Sequence, residues 1–357
     1  KTVKQPSLAI SFVPLTVLVI FLALTIKLFG ADAIAGGSQL SLITASAVCT
    51  AMAMGIYKRK WQELENAVVD NMRSATPALI ILLLIGAIAG TWMASGVIPT
   101  LIYYGLKILH PSIFLPASCI ICAIISLLTG SSWTTIATIG IALVGIGQSQ
   151  GFEPHWIAGA VISGAYFGDK ISPLSDTTIL ASSSAGAELF PHIRYMLITT
   201  VPAFVISLLI FLVVGFRTTA TDDSMIADFL QALQGSFNIS PWLLIVPLLT
   251  GLLIAFRLPA LITLFFSMMF AVVAMLLTQP QVIQIITYSN GLSFADGFVA
   301  SFKAIYGHVA IDTGNDMLNT LVTTRGMTGM LNTIWLVISA VCFGGVMLGS
   351  GMIHSIT

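Results

Sequence analysis

Apolar residues occur in long runs along almost all of this chain, with short polar stretches between them. The runs fall at 8–29, 39–56, 77–95, 97–109, 111–128, 134–147, 155–167, 177–187, 192–216, 241–256, 259–277 and 330–353. A helix rises about 1.5 Å per residue, so roughly 18 or more apolar residues cross the ~30 Å hydrocarbon layer of a bilayer. Several runs meet that length. The shorter ones cannot cross alone and predict half-helices or hairpins. The strict two-residue alternation of a membrane barrel is absent. The pattern predicts an all-α polytopic membrane protein with discontinuous (broken) transmembrane helices.

The polar stretches suggest an orientation. Residues 57–76, YKRKWQELENAVVDNMRSAT, are polar with spaced apolar positions and predict an amphipathic helix on the membrane surface. Lys1, Lys4, Lys58, Arg59 and Lys60 share one side if the first two runs form a hairpin. The positive-inside rule puts that side, and the N-terminus, in the cytoplasm of a multi-pass cell-membrane protein. Lys27 falls on the other side, against the rule. The segment 218–239 carries Asp222, Asp223 and Asp228 with no basic residue and reads as a polar connector outside. Arg257 is then inside, and the signs agree only if an odd number of crossings precedes residue 218.

An odd count implies two halves of opposite orientation, and the sequence carries a matching repeat. SLAISFVPL (7–15) matches SPWLLIVPL (240–248), pairing Pro14 with Pro247. LIT recurs at 42–44 and 261–263. AIAGTWMASGVI (87–98) matches CFGGVMLGSGMI (342–353), pairing Gly90 with Gly345, Ser95 with Ser350 and Gly96 with Gly351. The anchors keep their order, which predicts an inverted-repeat transporter. Its first repeat spans 1–217, its connector 218–239, and its second repeat 240–357, with a polar insert at 281–329. Residue 353 matches residue 98 while the first half runs on to 217, so the second repeat reads as incomplete, short of a C-terminal part of roughly 120 residues. The chain starts at Lys1 without a methionine, which predicts an earlier natural N-terminus.

Composition narrows the classes. The chain is 57% hydrophobic and 8% charged, where a soluble domain carries about 25% charged residues, so too little polar surface remains for a water-soluble fold. A net charge of +0 argues against a nucleic-acid partner. Cys49, Cys119, Cys122 and Cys342 all lie in apolar runs. CIIC at 119–122 has metal or redox spacing, but no His or second Cys pair is near, and small buried hydrophobes are the favoured reading. The five histidines form no HExxH pattern, and no nucleophile–base spacing stands out, so an enzyme is not expected.

The candidate chemistry lies in GDKISPLSDTT, residues 168–178. Asp169, Lys170 and Asp176 stand there between apolar runs, where a carboxylate costs several kcal/mol, by an amount that is debated, and so is rare without a role. Gly168 and Pro173 both oppose a continuous helix. Freed carbonyls, the two carboxylates and the hydroxyls of Ser172, Ser175, Thr177 and Thr178 make an oxygen-rich cluster suited to a hard cation. A carboxylate that loses its cation can take a proton instead, which is the minimum needed for exchange. The plainer alternative is a solvated surface loop, with Asp176 as the N-cap of the next helix. Lys170 either pairs with an Asp or marks the water boundary. A second interruption, TGSSWTTIATIG (129–140), offers Thr129, Ser131, Ser132 and Thr134 to the same cavity, with Trp133 as gate or interfacial anchor. HVAIDTGNDML (308–318) reads as a solvated turn capping a helix near 317. The pairs Gly86/Gly90 and Gly345/Gly349 read as close-packing positions.

ISGAYFGDKISPLSDTT (162–178) and TGSSWTTIATIG (129–140), with TGNDMLNTLVTTRGM (313–327) more loosely, resemble the NhaC family of sodium/proton antiporters. The resemblance covers essentially the whole chain. It implies multi-pass transport of Na⁺ against H⁺ and places Asp169 and Asp176 in the binding region. That family also includes a malate/lactate exchanger, so a Na⁺- or H⁺-coupled carrier of small carboxylates is the alternative. The expected site is therefore Asp169 and Asp176 for Na⁺ or H⁺, with Ser172, Ser175, Thr177, Thr178, Ser131, Ser132 and Thr134 as its shell. No resident cofactor is expected. The expected partners are Na⁺, protons, a small carboxylate in the alternative, the lipid bilayer and a second copy in a homodimer.

Overall fold

The computed structural model describes residues 6–356 apart from 131, 174, 176, 179–180, 183–186, 218–222, 257 and 290. Among the described residues all regular elements are helical, and only the isolated bridge Val309–Thr324 pairs like strands. Among the described residues six helices are long and apolar enough to cross a membrane. The pair Ala227–Ser236 and Pro241–Leu253, bent by 86°, adds a seventh if counted as one broken span. The protein is thus all-α and polytopic. Its contacts divide it into two compact units, residues 1–83 with 329–357 and residues 84–328.

In the first unit, helices Leu8–Phe29 and Gly37–Gly55 form a hairpin through the 3₁₀ turn Gly30–Ala35. The Thr25 and Ser41 hydroxyls meet across it at 3.2 Å. Helix Leu331–Gly349 packs on Gly37–Gly55, and Leu42, Ala45, Cys49, Phe343 and Met347 fill the space between. Gly345 and Gly349 lie on the backbone of a third helix: a Cβ on Gly345 would sit 2.7 Å from Val68 Cα, and one on Gly349 would sit 2.8 Å from Ala67 Cβ. Close packing at these glycines agrees with their spacing.

That third helix departs from expectation. The stretch 57–76 does not make a separate surface helix. Trp61–Ala94 is one 34-residue helix that runs through Pro77 into the apolar run. Part of its apolar face packs on protein, with Leu64 fully buried and Asn71 donating a 2.7 Å hydrogen bond to the Val341 carbonyl, while Trp61 and Val69 stay exposed. Pro77 removes one backbone donor, a loss that helix packing inside a membrane protein can absorb.

In the second unit, helix Pro154–Ile171 packs along helix Pro111–Thr129, and helix Leu189–Arg217 covers both. A Cβ at Gly164 or Gly168 would strike the carbonyls of Cys119 and Ala123. Gly168 therefore does not break its helix; it lets two backbones touch, and the break comes later. Phe167 stacks on Phe204 with ring centres 3.9 Å apart. The segment read as a polar connector contains helix Asp223–Ser236, and Phe229, Leu233 and Phe237 at its end are buried. Helices Ile245–Ala255 and Ala260–Thr278 follow. Ser267 joins them to the end of the long helix, accepting from Trp92 Nε1 at 3.1 Å and from the Thr250 hydroxyl at 2.8 Å. Within the insert, Asn315 caps helix Asp316–Val322 by accepting from the Leu318 N–H at 3.1 Å, as its sequence predicts. Gly86 and Gly90 face the carbonyls of Gly326 and Ala304 so closely that neither has room for a Cβ.

Candidate functional site

Two helix interruptions meet in the second unit. The first follows Thr129: Gly130 takes the left-handed conformation (φ 66°, ψ 21°), which glycine adopts without a Cβ clash, and its N–H closes on the Ser126 carbonyl at 2.8 Å. A four-residue helix, Ser132–Thr135, and a π-helical turn, Ile136–Gly140, lead into helix Ile141–Ser149. π-Turns inside helices are found mostly where function needs a local distortion.

The second interruption follows Ile171. Ser172 is extended (φ −78°, ψ 126°), the conformation that a following proline imposes. Helix then resumes at Thr177 and Thr178. The Ser175 hydroxyl accepts the Thr178 N–H at 3.3 Å, a capping contact.

The second interruption supplies hydroxyls both to the end of the first broken helix and to the end of its own. The Ser172 hydroxyl donates to the Leu127 carbonyl at 2.8 Å, near the end of the first broken helix. The Thr178 hydroxyl lies 3.3 Å from the Asp169 carbonyl and 3.2 Å from that of Lys170, in the last turn of the second. Between them sits the Asp169 carboxylate, 9% exposed, with Ser132 Oγ donating to its Oδ2 at 2.9 Å. Ser132, Thr134, Ser172, Ser175 and Thr178 are all buried.

The structure thus brings Ser132, Ser172 and Thr178 onto the Asp169 turn, with Ser175 next to them. Thr177 is exposed, although its hydroxyl reaches Ser175 at 2.9 Å. Lys170 is exposed, and among the described residues nothing pairs with its ammonium. Trp133 is half exposed. Asp176 and Ser131 lie outside the described residues. The 312–319 turn satisfies itself, with Asp312 Oδ1 accepting from the Gly314 N–H at 3.0 Å and Asn319 Nδ2 at 3.2 Å. Sequence reasoning missed the Leu127 carbonyl and Thr138, whose hydroxyl donates to the Thr134 carbonyl at 2.8 Å inside the π-turn. The four-residue spacing of those two threonines was the available signal.

Among the described residues this is a shielded carboxylate surrounded by hydroxyl and carbonyl oxygens. Among the described residues no three His, Cys, Asp or Glu side chains gather. A hydroxyl can donate to a bare carboxylate or rotate to offer a lone pair to a cation. The same groups therefore suit an alkali ion and its absence equally.

Comparison with known proteins gives the family. The chain matches the Na⁺/H⁺ antiporter family over residues 2–196 and 164–357. It is 39% identical over 309 residues to the malate-2H⁺/Na⁺-lactate antiporter of Bacillus subtilis, covering 86% of this chain and 63% of that protein. It is 38% identical over 315 residues to the Na⁺/H⁺ antiporter NhaC of Alkalihalophilus pseudofirmus, covering 87% and 64%. The arginine/ornithine antiporter ArcD of Halobacterium salinarum is 32% identical over 357 residues, covering 99% and 70%. The chain spans just under two thirds of the first two relatives. No solved structure matches. With the family's sequence pattern running from end to end, the chain belongs to the Na⁺/H⁺ antiporter family.

Proposed function

We propose that this protein is a secondary transporter of the cell membrane that exchanges Na⁺ for H⁺ by alternating access. Asp169 and Asp176 take Na⁺ or protons in turn, with Ser172, Ser175, Thr177, Thr178, Ser131, Ser132 and Thr134 completing the shell. Na⁺ and H⁺ are cargo, and the chain needs no resident cofactor and runs no chemical step. The observation that carries this reading is the shielded Asp169 carboxylate at the meeting of two broken helices, held by Ser132 at 2.9 Å. Lys58, Arg59 and Lys60 support a cytoplasmic N-terminus.

Inverted repeats are part of the proposal, and backbone geometry supports them. Gly96 and Gly351, paired by the repeat, have φ of 76° and 78°. Their N–H groups donate to Met93 and Leu348, each at 3.0 Å, and these two residues are also paired by the repeat. The Ser95 and Ser350 hydroxyls donate to the carbonyls of Trp92 and Met347, again a matched pair.

The test is Na⁺-driven proton movement in liposomes holding the purified protein. Asp169→Asn is expected to slow coupled exchange at least tenfold. Wild-type rates in both Asp169→Asn and Asp176→Asn would sink the assignment. A second reading, exchange of a small carboxylate with Na⁺ or H⁺, is favoured by the exposed Lys170 ammonium beside the site and by the malate/lactate relative. A Na⁺ flux that appears only with added malate or lactate would select it.

A further inference from the structure

The first unit contains a convergence of sulfur that ion exchange does not use. Cys49 Sγ lies 3.5 Å from Met347 Sδ and 3.6 Å from Met352 Sδ, with Ser350 Oγ at 3.7 Å. Cys49, Ser350 and Met352 are fully buried, and Met347 is 2% exposed. Three elements supply these atoms: helices Gly37–Gly55, Leu331–Gly349 and Met352–Ile356. The left-handed Gly351 (φ 78°) makes the turn between the last two, and the Met352 N–H bonds Ser350 Oγ at 3.3 Å, which fixes the turn.

We propose that Cys49, Met347 and Met352 form a site for a soft monovalent cation of the Cu⁺ or Ag⁺ class. Thiolate and thioether sulfurs select soft metals, and the two thioethers disfavour Zn²⁺, which takes Cys, His or carboxylate. Charge points the same way. One thiolate and one monovalent ion leave the site neutral, as a buried position in an apolar protein requires; a divalent ion would leave an uncompensated positive charge. Binding replaces the thiol proton, so one H⁺ leaves for each ion taken up. Metal–sulfur bonds of about 2.3 Å set trigonal sulfurs about 4.0 Å apart. The two thioethers must therefore retreat by a few tenths of an ångström, a shift that flexible methionine chains allow. Cys49 lies about 9 Å along its helix from Gly55, the end that leads into Lys58, Arg59 and Lys60. An ion there would tie the first hairpin to helix Leu331–Gly349.

The experiment uses Ag⁺, a redox-inert probe, on purified protein in which Cys119, Cys122 and Cys342 are replaced by Ala. Native mass spectrometry counts bound ions, and thermal unfolding reports stabilisation. The expected result is one Ag⁺ per chain with a raised Tm. Cys49→Ala should bind none. Met347→Leu and Met352→Leu, which keep side-chain volume, should each weaken binding at least tenfold, and Zn²⁺ at the same concentration should not bind. Retention of Ag⁺ by Cys49→Ala, wild-type affinity in the double Leu variant, or equal Zn²⁺ uptake overturns the proposal. If the triple-Ala protein does not fold, Cys49→Ala in the natural chain should lower the Ag⁺ count by one, and an unchanged count overturns it equally.

Discussion

Asp169 is held by residues far from it in sequence. Ser132 is 37 positions away and Thr178 is 9 positions away, and both arrive because a helix stops short. In the proposed site Ser132 also turns its oxygen to Na⁺, and loss of that ligand in Ser132→Ala is expected to raise the KM for Na⁺ roughly tenfold. Ser132→Thr keeps the hydroxyl and should stay near wild type; Na⁺ titration of exchange in liposomes checks both. The glycines opposite make a separate prediction. Gly168→Ala forces helices Pro111–Thr129 and Pro154–Ile171 apart, at a cost of about 1–3 kcal/mol, read as a lower Tm in detergent. Glycine and proline announce irregular backbone, so the interruptions at 130 and 172–173 were legible in the sequence. What lies opposite a glycine is not written beside it, and so Gly168 passed for a breaker. The Ser132–Asp169 pairing was equally hidden, because no local pattern links two residues on different helices.

At the scale of single elements, the apolar runs gave most helices within a few residues, because length and hydropathy decide them. The stretch 57–76 shows the limit of that reasoning: an amphipathic stripe looks the same whether lipid or another helix covers it. Pro77 within Trp61–Ala94 gives a test. Pro77→Ala restores a donor to the Arg73 carbonyl, so Tm should rise; if bending there serves transport, exchange should slow in the same variant. Helix Phe294–Tyr306 begins with a capping box, Ser293 with Asp296. The Ser293 hydroxyl, then its backbone N–H, holds the exposed Asp296 carboxyl below the ordinary range. A depressed folded value means that this support is present above the unfolded pKa and is lost as pH falls through the folded one. Hydrogen exchange at residues 294–297 should therefore quicken on acidification below about pH 4, and Asp296→Asn should remove that dependence.

For the whole molecule, the repeat supplies the sharpest prediction. If Gly96 and Gly351 hold equivalent turns, alanine at either meets the same left-handed strain, about 1–2 kcal/mol. Both Gly96→Ala and Gly351→Ala should lower Tm, Gly96→Ala more because its Cβ would also strike the Gln279 amide whereas that of Gly351 meets nothing closer than Arg59 at 3.4 Å, and an unchanged Tm in Gly351→Ala would count against the equivalence. The contacts around Asp169 set a mechanical condition on the proposed exchange. Prising the two broken helices apart would take the Ser172 hydroxyl from the Leu127 carbonyl and the Ser132 hydroxyl from the Asp169 carboxylate, each loss costing about 1–3 kcal/mol. In the proposed exchange that penalty would recur at every cycle, so the Asp169 seat is expected to travel as an undivided block. The surfaces that slide during a cycle belong where apolar side chains merely touch.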